Sequence, residues 1–140
     1  MTQRVTSPSN GLHSAYSGSP SLAARSAQAS PRPKFDVEQI KPYMKKLLAS
    51  TLQGAQWEAR DKQRIRGWCN EISERVKDRM LEVEPRGFKY IVTTQIYENL
   101  GQGGLASLVS HWEDSDTVTQ EMYNSDSIIC VCIAYAIRTA

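Results

Sequence analysis

The chain has 140 residues, a formal charge of +2, and 40% hydrophobic against 23% charged side chains, the balance of one globular domain. Its longest apolar run, residues 128–137, is about half the roughly 20 residues that a bilayer-crossing helix needs. The first eight residues lack the apolar segment of a secretory signal, and an odd count of three cysteines argues against a disulfide framework and for a reducing, intracellular setting.

The small net charge hides an asymmetry. Residues 1–34 carry Arg4, Arg25, Arg32 and Lys34 and no acid, giving +4. Residues 35–89 carry 12 basic and 9 acidic side chains, giving +3. Residues 90–140 set Arg138 against Glu98, Glu113, Asp114, Asp116, Glu121 and Asp126, giving −5. A nucleic-acid binder is expected to be basic throughout, with aromatic residues interleaved among the cations. Neither holds, so nucleic acid is not an expected partner.

In chain order, residues 1–34 read as a disordered basic tail. Four of the six prolines and eight serines fall within residues 1–33, and such a segment cannot bury enough surface to offset its ordering entropy. Ser7, Ser19 and Ser30 each precede a proline. They are candidate phosphorylation sites for proline-directed kinases, although such pairs also arise by chance in any Ser/Pro-rich stretch. Phosphates there would overturn the tail's charge.

The ordered domain is expected over 35–140. Pro42 suits a first helical turn. Met44, Leu47, Leu48 and Leu52 then recur at helical spacing up to Gly54. A longer helix is predicted over about 58–81, with Ile65, Trp68, Ile72, Val76 and Met80 as its apolar stripe. Four strands follow, over 88–97, 105–112, 117–123 and 128–137. In the first, Phe88, Tyr90, Val92, Thr94 and Ile96 share a face. The last is apolar on both faces.

The predicted fold is therefore α+β: two N-terminal helices packed on a four-strand antiparallel meander. Two helices cover one face of such a sheet. A final strand with no polar face needs a second cover, and another copy of the chain is the natural source. The 105–112 strand follows a glycine-rich connection, so it is free to exchange between protomers or to accept an added peptide strand.

Candidate chemical motifs are weak. Cys130 and Cys132 point to one face of a strand about 7 Å apart, with no second pair to complete a metal site, and read as small core residues. His111 and Cys69 lack the glycine elbow and orienting group of a nucleophile–base pair. Residues 101–104 lack the lysine and following helix of a phosphate loop. Residues 114–116 lack the rest of a calcium loop. No catalytic residue, metal or cofactor is assigned.

In order, Phe88-Lys89-Tyr90-Ile91-Val92, Gly101-Gln102-Gly103, Trp112 followed by acids, Tyr123-Asn124-Ser125-Asp126-Ser127 and the strand from Ile128 to Tyr135 resemble the Tctex-type dynein light chain family. The match extends back through Ile72 and Trp68 to Pro42. The Ser/Pro-rich extension is similar to that of Tctex-domain-containing and axonemal members. The resemblance implies a non-catalytic light chain that forms a strand-exchanged homodimer, or a heterodimer with another Tctex-type chain. Such a dimer binds extended segments of the dynein intermediate chain or of cargo by β-strand addition. It implies microtubule-based motility in the cytoplasm and cytoskeleton, or in the cilium or flagellar axoneme, without membrane insertion. A dynein-independent dimeric adaptor of the same fold is the alternative. The exchanged and partner-binding strand would be Ala106, Ser107, Leu108, Val109, Ser110, His111 and Trp112, with Ile91, Thr93 and Gln95 on the adjacent face.

Overall fold

The computed structural model describes residues 33–139. A short 3-10 turn at Val37–Gln39 opens it, capped by the Asp36 carboxylate, which accepts from Glu38 N at 3.1 Å. Helix α1, Lys41–Leu52, has proline in its first turn and buries Met44, Leu47, Leu48 and Leu52, the four positions that the spacing predicts. Just beyond it, Gly54 takes a φ of 73°, a conformation that glycine adopts without strain.

Helix α2, Lys62–Val83, buries Ile65, Ile72, Val76 and Met80, with Trp68 half-buried on the stripe. It starts later than the predicted 58 and runs two residues further than 81. The later start has a local cause. Asp61 acts as N-cap and accepts from Arg64 N at 3.0 Å, while Trp57 N donates to Ser127 Oγ at 2.8 Å. Residues before the cap are thus held by the sheet rather than by helical bonds.

Three strands form the sheet: β1, Phe88–Glu98, β2, Thr117–Asn124, and β3, Ile128–Arg138. All pairs are antiparallel, in the order β1-β3-β2. This corrects two expectations. The described residues form three strands rather than four, because 105–112 finds no partner backbone. The order is also not that of a meander. Strand β3 is apolar on both faces and takes the centre, where neighbours cover both its edges, and β1 and β2 flank it.

The register sorts each strand into two faces. Thr94, Cys132 and Glu121 are aligned across the sheet. Phe88, Tyr90, Val92, Thr94 and Ile96 therefore share the helix-facing side with Ile128, Cys130, Cys132, Ala134 and Ala136. All five of those β3 residues are at most 1% exposed. Their side chains are short apart from Ile128, so the helices seat closely on the central strand. Helix α1 lies against β2 and α2 against β1. The core runs from Ile40, Met44, Leu48 and Leu52 through Ile72, Val76 and Met80 to this face. Its few polar groups are satisfied, as buried polar groups must be: Ser73 Oγ and Thr94 Oγ1 share a hydrogen bond at 2.7 Å. At one end Phe35 meets Phe88 and Tyr90 edge-on, and the Arg138 guanidinium lies 4.8 Å from the Phe88 ring centroid.

Candidate partner-binding face

Among the described residues, no helix lies over the other side of the sheet. Across it run Ile91, Tyr135 and Val118, then Thr93, Ile133 and Gln120, then Gln95, Val131 and Met122, then Tyr97, Ile129 and Asn124. Ile91 is 49% exposed and Met122 is 62% exposed, whereas Ile129, Val131, Ile133, Tyr135 and Ile137 are half-buried. An apolar patch of this kind marks a surface that binds something.

The 99–116 connection approaches this face. It is tied at both ends. At the β1 end, Asn99 N donates to Ser127 O at 2.9 Å, and Asn99 Nδ2 donates to Ser125 O at 2.8 Å and to Asn124 Oδ1 at 3.1 Å. Gln102 Nε2 reaches back to Glu98 O at 2.9 Å, and Gly101 sits at a φ of 70°. At the β2 end, the Asp116 carboxylate accepts from Glu113 N at 2.9 Å and from Arg138 N at 2.7 Å. Between the ties, residues 103–112 form no hydrogen bond among the described residues and have no regular secondary structure. Leu105 is 101% and Val109 91% exposed.

Two open grooves of about 720 Å³ each lie between this segment and the sheet. One is lined by Ser110, His111 and Trp112 with Ile91, Tyr135 and Ile137. The other is lined by Ala106, Ser107 and Leu108 with Gln95, Val118, Ile133 and Tyr135. Predicted residues of the segment and of β1 are thus brought together: Ile91 with His111 and Trp112, and Gln95 with Ala106 to Leu108. Thr93 shares the open face opposite Ile133. Val109 lines neither groove. Ser7, Ser19 and Ser30 lie outside the described residues.

The Asn99 and Asp116 clamps escape a reading based on apolar pattern. The signal for them was an Asn and an Asp flanking a glycine-bearing loop, residues that bond nearby backbone groups readily.

His111 and Cys69 are not brought together. The histidine lines the open-face groove and the cysteine sits on α2, so the sheet stands between them. Burial pushes the Cys130 thiol up to about 12, with Cys132 and Cys69 adding to the effect. Cys132 is raised by burial too, against a hydrogen bond from Thr94. Cys69 is likewise raised by burial, against a backbone hydrogen bond from Ile96. Such thiols are weak nucleophiles and weak metal ligands, which fits the core role expected of Cys130 and Cys132. Tyr90, whose hydroxyl donates to Glu84 O at 2.6 Å, is pushed up to about 12 by burial and by the Glu84 charge.

Residues 34–137 match the model of the Tctex-1 family, a span that takes in both helices, the sheet and the 99–116 connection. An uncharacterized protein of Mycosarcoma maydis is 40% identical over 108 residues, 71% of this chain and 76% of that one. Dynein light chain Tctex-type protein 2B of Danio rerio is 27% identical over 105 residues, 74% of this chain and 68% of that one. The human protein of that name is 31% identical over 65 residues, 46% of each chain. With the two helices, the antiparallel sheet and the connection all inside the matched span, the chain belongs to the Tctex-1 family.

Proposed function

We propose that this protein is a non-catalytic dynein light chain that works as a strand-exchanged homodimer and holds extended segments of a dynein intermediate chain. The carrying observation is the 103–112 segment: fixed at both ends, without a hydrogen bond between them among the described residues, and exposing Leu105 and Val109 next to an open apolar face. A backbone in that state has strand propensity and lacks a partner. Strand β2 pairs only with β3 among the described residues, so its outer edge is a ready template. Laying residues 105–112 of one protomer on β2 of another would pair both backbones. It would also bring the two open faces together, each large apolar side chain contributing about 1.5–3 kcal/mol on full burial. An extended partner segment would then add to the exchanged strand. Main-chain bonds would supply register and alternating pockets specificity. The acidic balance of residues 90–140 favours a basic partner segment and a fast encounter.

The test has two stages. Sedimentation equilibrium on the full chain is expected to give a dimer at micromolar concentration, and a stable monomer overturns strand exchange. Titration of the dimer with labelled intermediate-chain peptides is expected to show saturable binding that Ile91→Asp weakens. Absence of binding across candidate peptides overturns the clamp while leaving the dimer standing.

A further inference from the structure

Helix α2 carries charge in two distinct ways along its length. From Glu71 onward every charged side chain up to Glu82 is paired. Arg75 lies 3.5 Å from Glu71, Lys77 lies 2.6 Å from Glu74 and 3.4 Å from Asp78, and Arg79 lies 3.0 Å from Glu82. At the start of the helix that pattern stops. Arg60, Lys62, Arg64 and Arg66 are all exposed, and among the described residues none of them forms an ion pair. The acids nearby are Glu58 and Asp61, and the Asp61 carboxylate already accepts from Arg64 N as the cap. No acid lies in the first turn. The cations therefore gather where the helix dipole is itself positive, which disfavours them in the free protein.

A second, independent feature sits in the same place. Gly67 is exposed in the helix interior, and among the described residues a Cβ built there would meet nothing beyond its own helix backbone and chain neighbours within 4 Å. Glycine is less favourable than alanine at such a position, and no contact among the described residues calls for it. An interior glycine without an internal reason leaves a flat spot where another backbone can approach closely. Arg64 is one turn back from it, its guanidinium 5.0 Å from the Trp68 ring centroid and the residue still exposed to solvent, and Arg66 precedes it in sequence.

We propose that the first two turns of α2 are a docking surface for a short acidic segment of a partner polypeptide. Its main chain crosses the helix at Gly67, and its carboxylates pair with Lys62, Arg64 and Arg66. Side-chain carboxylates match the planar guanidinium donors of the two arginines. Membrane docking fits less well, because the exposed residues around Gly67, namely Gln63, Arg64, Arg66 and Asn70, are polar or charged, and the neighbouring Trp68 is half-buried with the Arg64 guanidinium over its ring. A long nucleic-acid polyanion would also meet the net −5 of residues 90–140. The surface lies on the helical side of the sheet and does not depend on strand exchange.

The experiment is a fluorescence-anisotropy titration of the full-length chain with a labelled oligoglutamate peptide. Oligoglutamine, an oligonucleotide and anionic vesicles serve as competitors. The expected results are binding that weakens with salt, a loss of at least about tenfold in the Arg64→Glu/Arg66→Glu variant, and little change in Lys45→Glu/Lys46→Glu. That last variant makes the same charge change at exposed positions of α1. Gly67→Gln is expected to raise the thermal midpoint, because helix propensity improves, and yet to weaken binding. Equal losses in the two charge-reversal variants would show a net-charge effect and overturn the site. Unchanged affinity in a stabilised Gly67→Gln would overturn the close approach. Stronger competition by the oligonucleotide or by vesicles than by unlabelled oligoglutamate would overturn the choice of partner.

Discussion

The two sides of one sheet differ in what finishes them. The helix-facing side is closed within the chain: Cys130, Cys132, Ala134 and Ala136 are at most 1% exposed beneath two helices. The opposite side of the same strand carries larger side chains, Ile129, Val131, Ile133, Tyr135 and Ile137, yet these stay half-buried. Hydrophobicity alone would bury the second set first. What decides is which elements the chain can supply as cover. The helices are spent on one side, and among the described residues the segment left for the other is the unbonded stretch 103–112. One side is thus a core, and the other is the face that the proposed strand exchange would cover.

Substitutions on the two sides should separate stability from assembly. The largest effect on folding is expected from Ile72→Ala, which empties a fully buried site beneath the sheet and costs about 3 kcal/mol. Chemical denaturation should show it, and the dimerisation constant should move little once compared at equal folded fraction. Leu108→Asp should do the reverse. Leu108 is 56% exposed, so the folded protomer loses little, while a charge placed in the strand proposed to exchange should weaken the proposed dimer by at least about tenfold. If both variants shifted folding and assembly together, the two sides would not be separable.

The clamps come next in size. Asp116 is 8% exposed and accepts two backbone N–H groups, one from its own turn and one from β3. Asp116→Ala leaves both donors without that partner and should cost about 1–3 kcal/mol. Hydrogen exchange should locate the loss at residues 113–117 and at the end of β3, not in the helices. Uniform loss of protection would mean that the connection is part of the core rather than a tethered arm.

The contrast between the sides also explains what could be read from the sequence. Strand β1 and helix α1 were legible because their periodicity is satisfied inside the chain: Phe88 to Ile96 alternate, and Met44 to Leu52 recur every turn. The need for a cover on both sides of β3 was legible from its lack of a polar face. The same property pointed to a central strand, and so to an order other than a meander, but chain-order adjacency was the default and it misled. The 105–112 stretch has the composition of a strand, and composition cannot supply the neighbouring backbone that makes one. Helix α2 begins later than the expected 58 because a carboxylate at Asp61 and a hydroxyl at Ser127 compete for the backbone there. Such specific bonds leave no periodic trace.

The smallest expected effect marks the far edge of the closed side. Glu71 and Arg75 face each other across one turn of α2 at 3.5 Å, with about half of each side chain in solvent. Water and salt screen a pair so placed, and holding two long side chains in one geometry costs entropy. Removing its charge should therefore cost about 0.3 kcal/mol. Glu71→Gln keeps the shape and the helix propensity, so a thermal melt should move by no more than about 2 °C, and by less still at high salt, where the pair is already weakened. The proposed dimer should not change, because the sheet stands between this pair and the open face. A larger, salt-insensitive shift would mean that the paired half of α2 is held by something other than its own neighbours. In that case the contrast with Arg60 to Arg66, whose cations form no ion pair among the described residues, would need another cause.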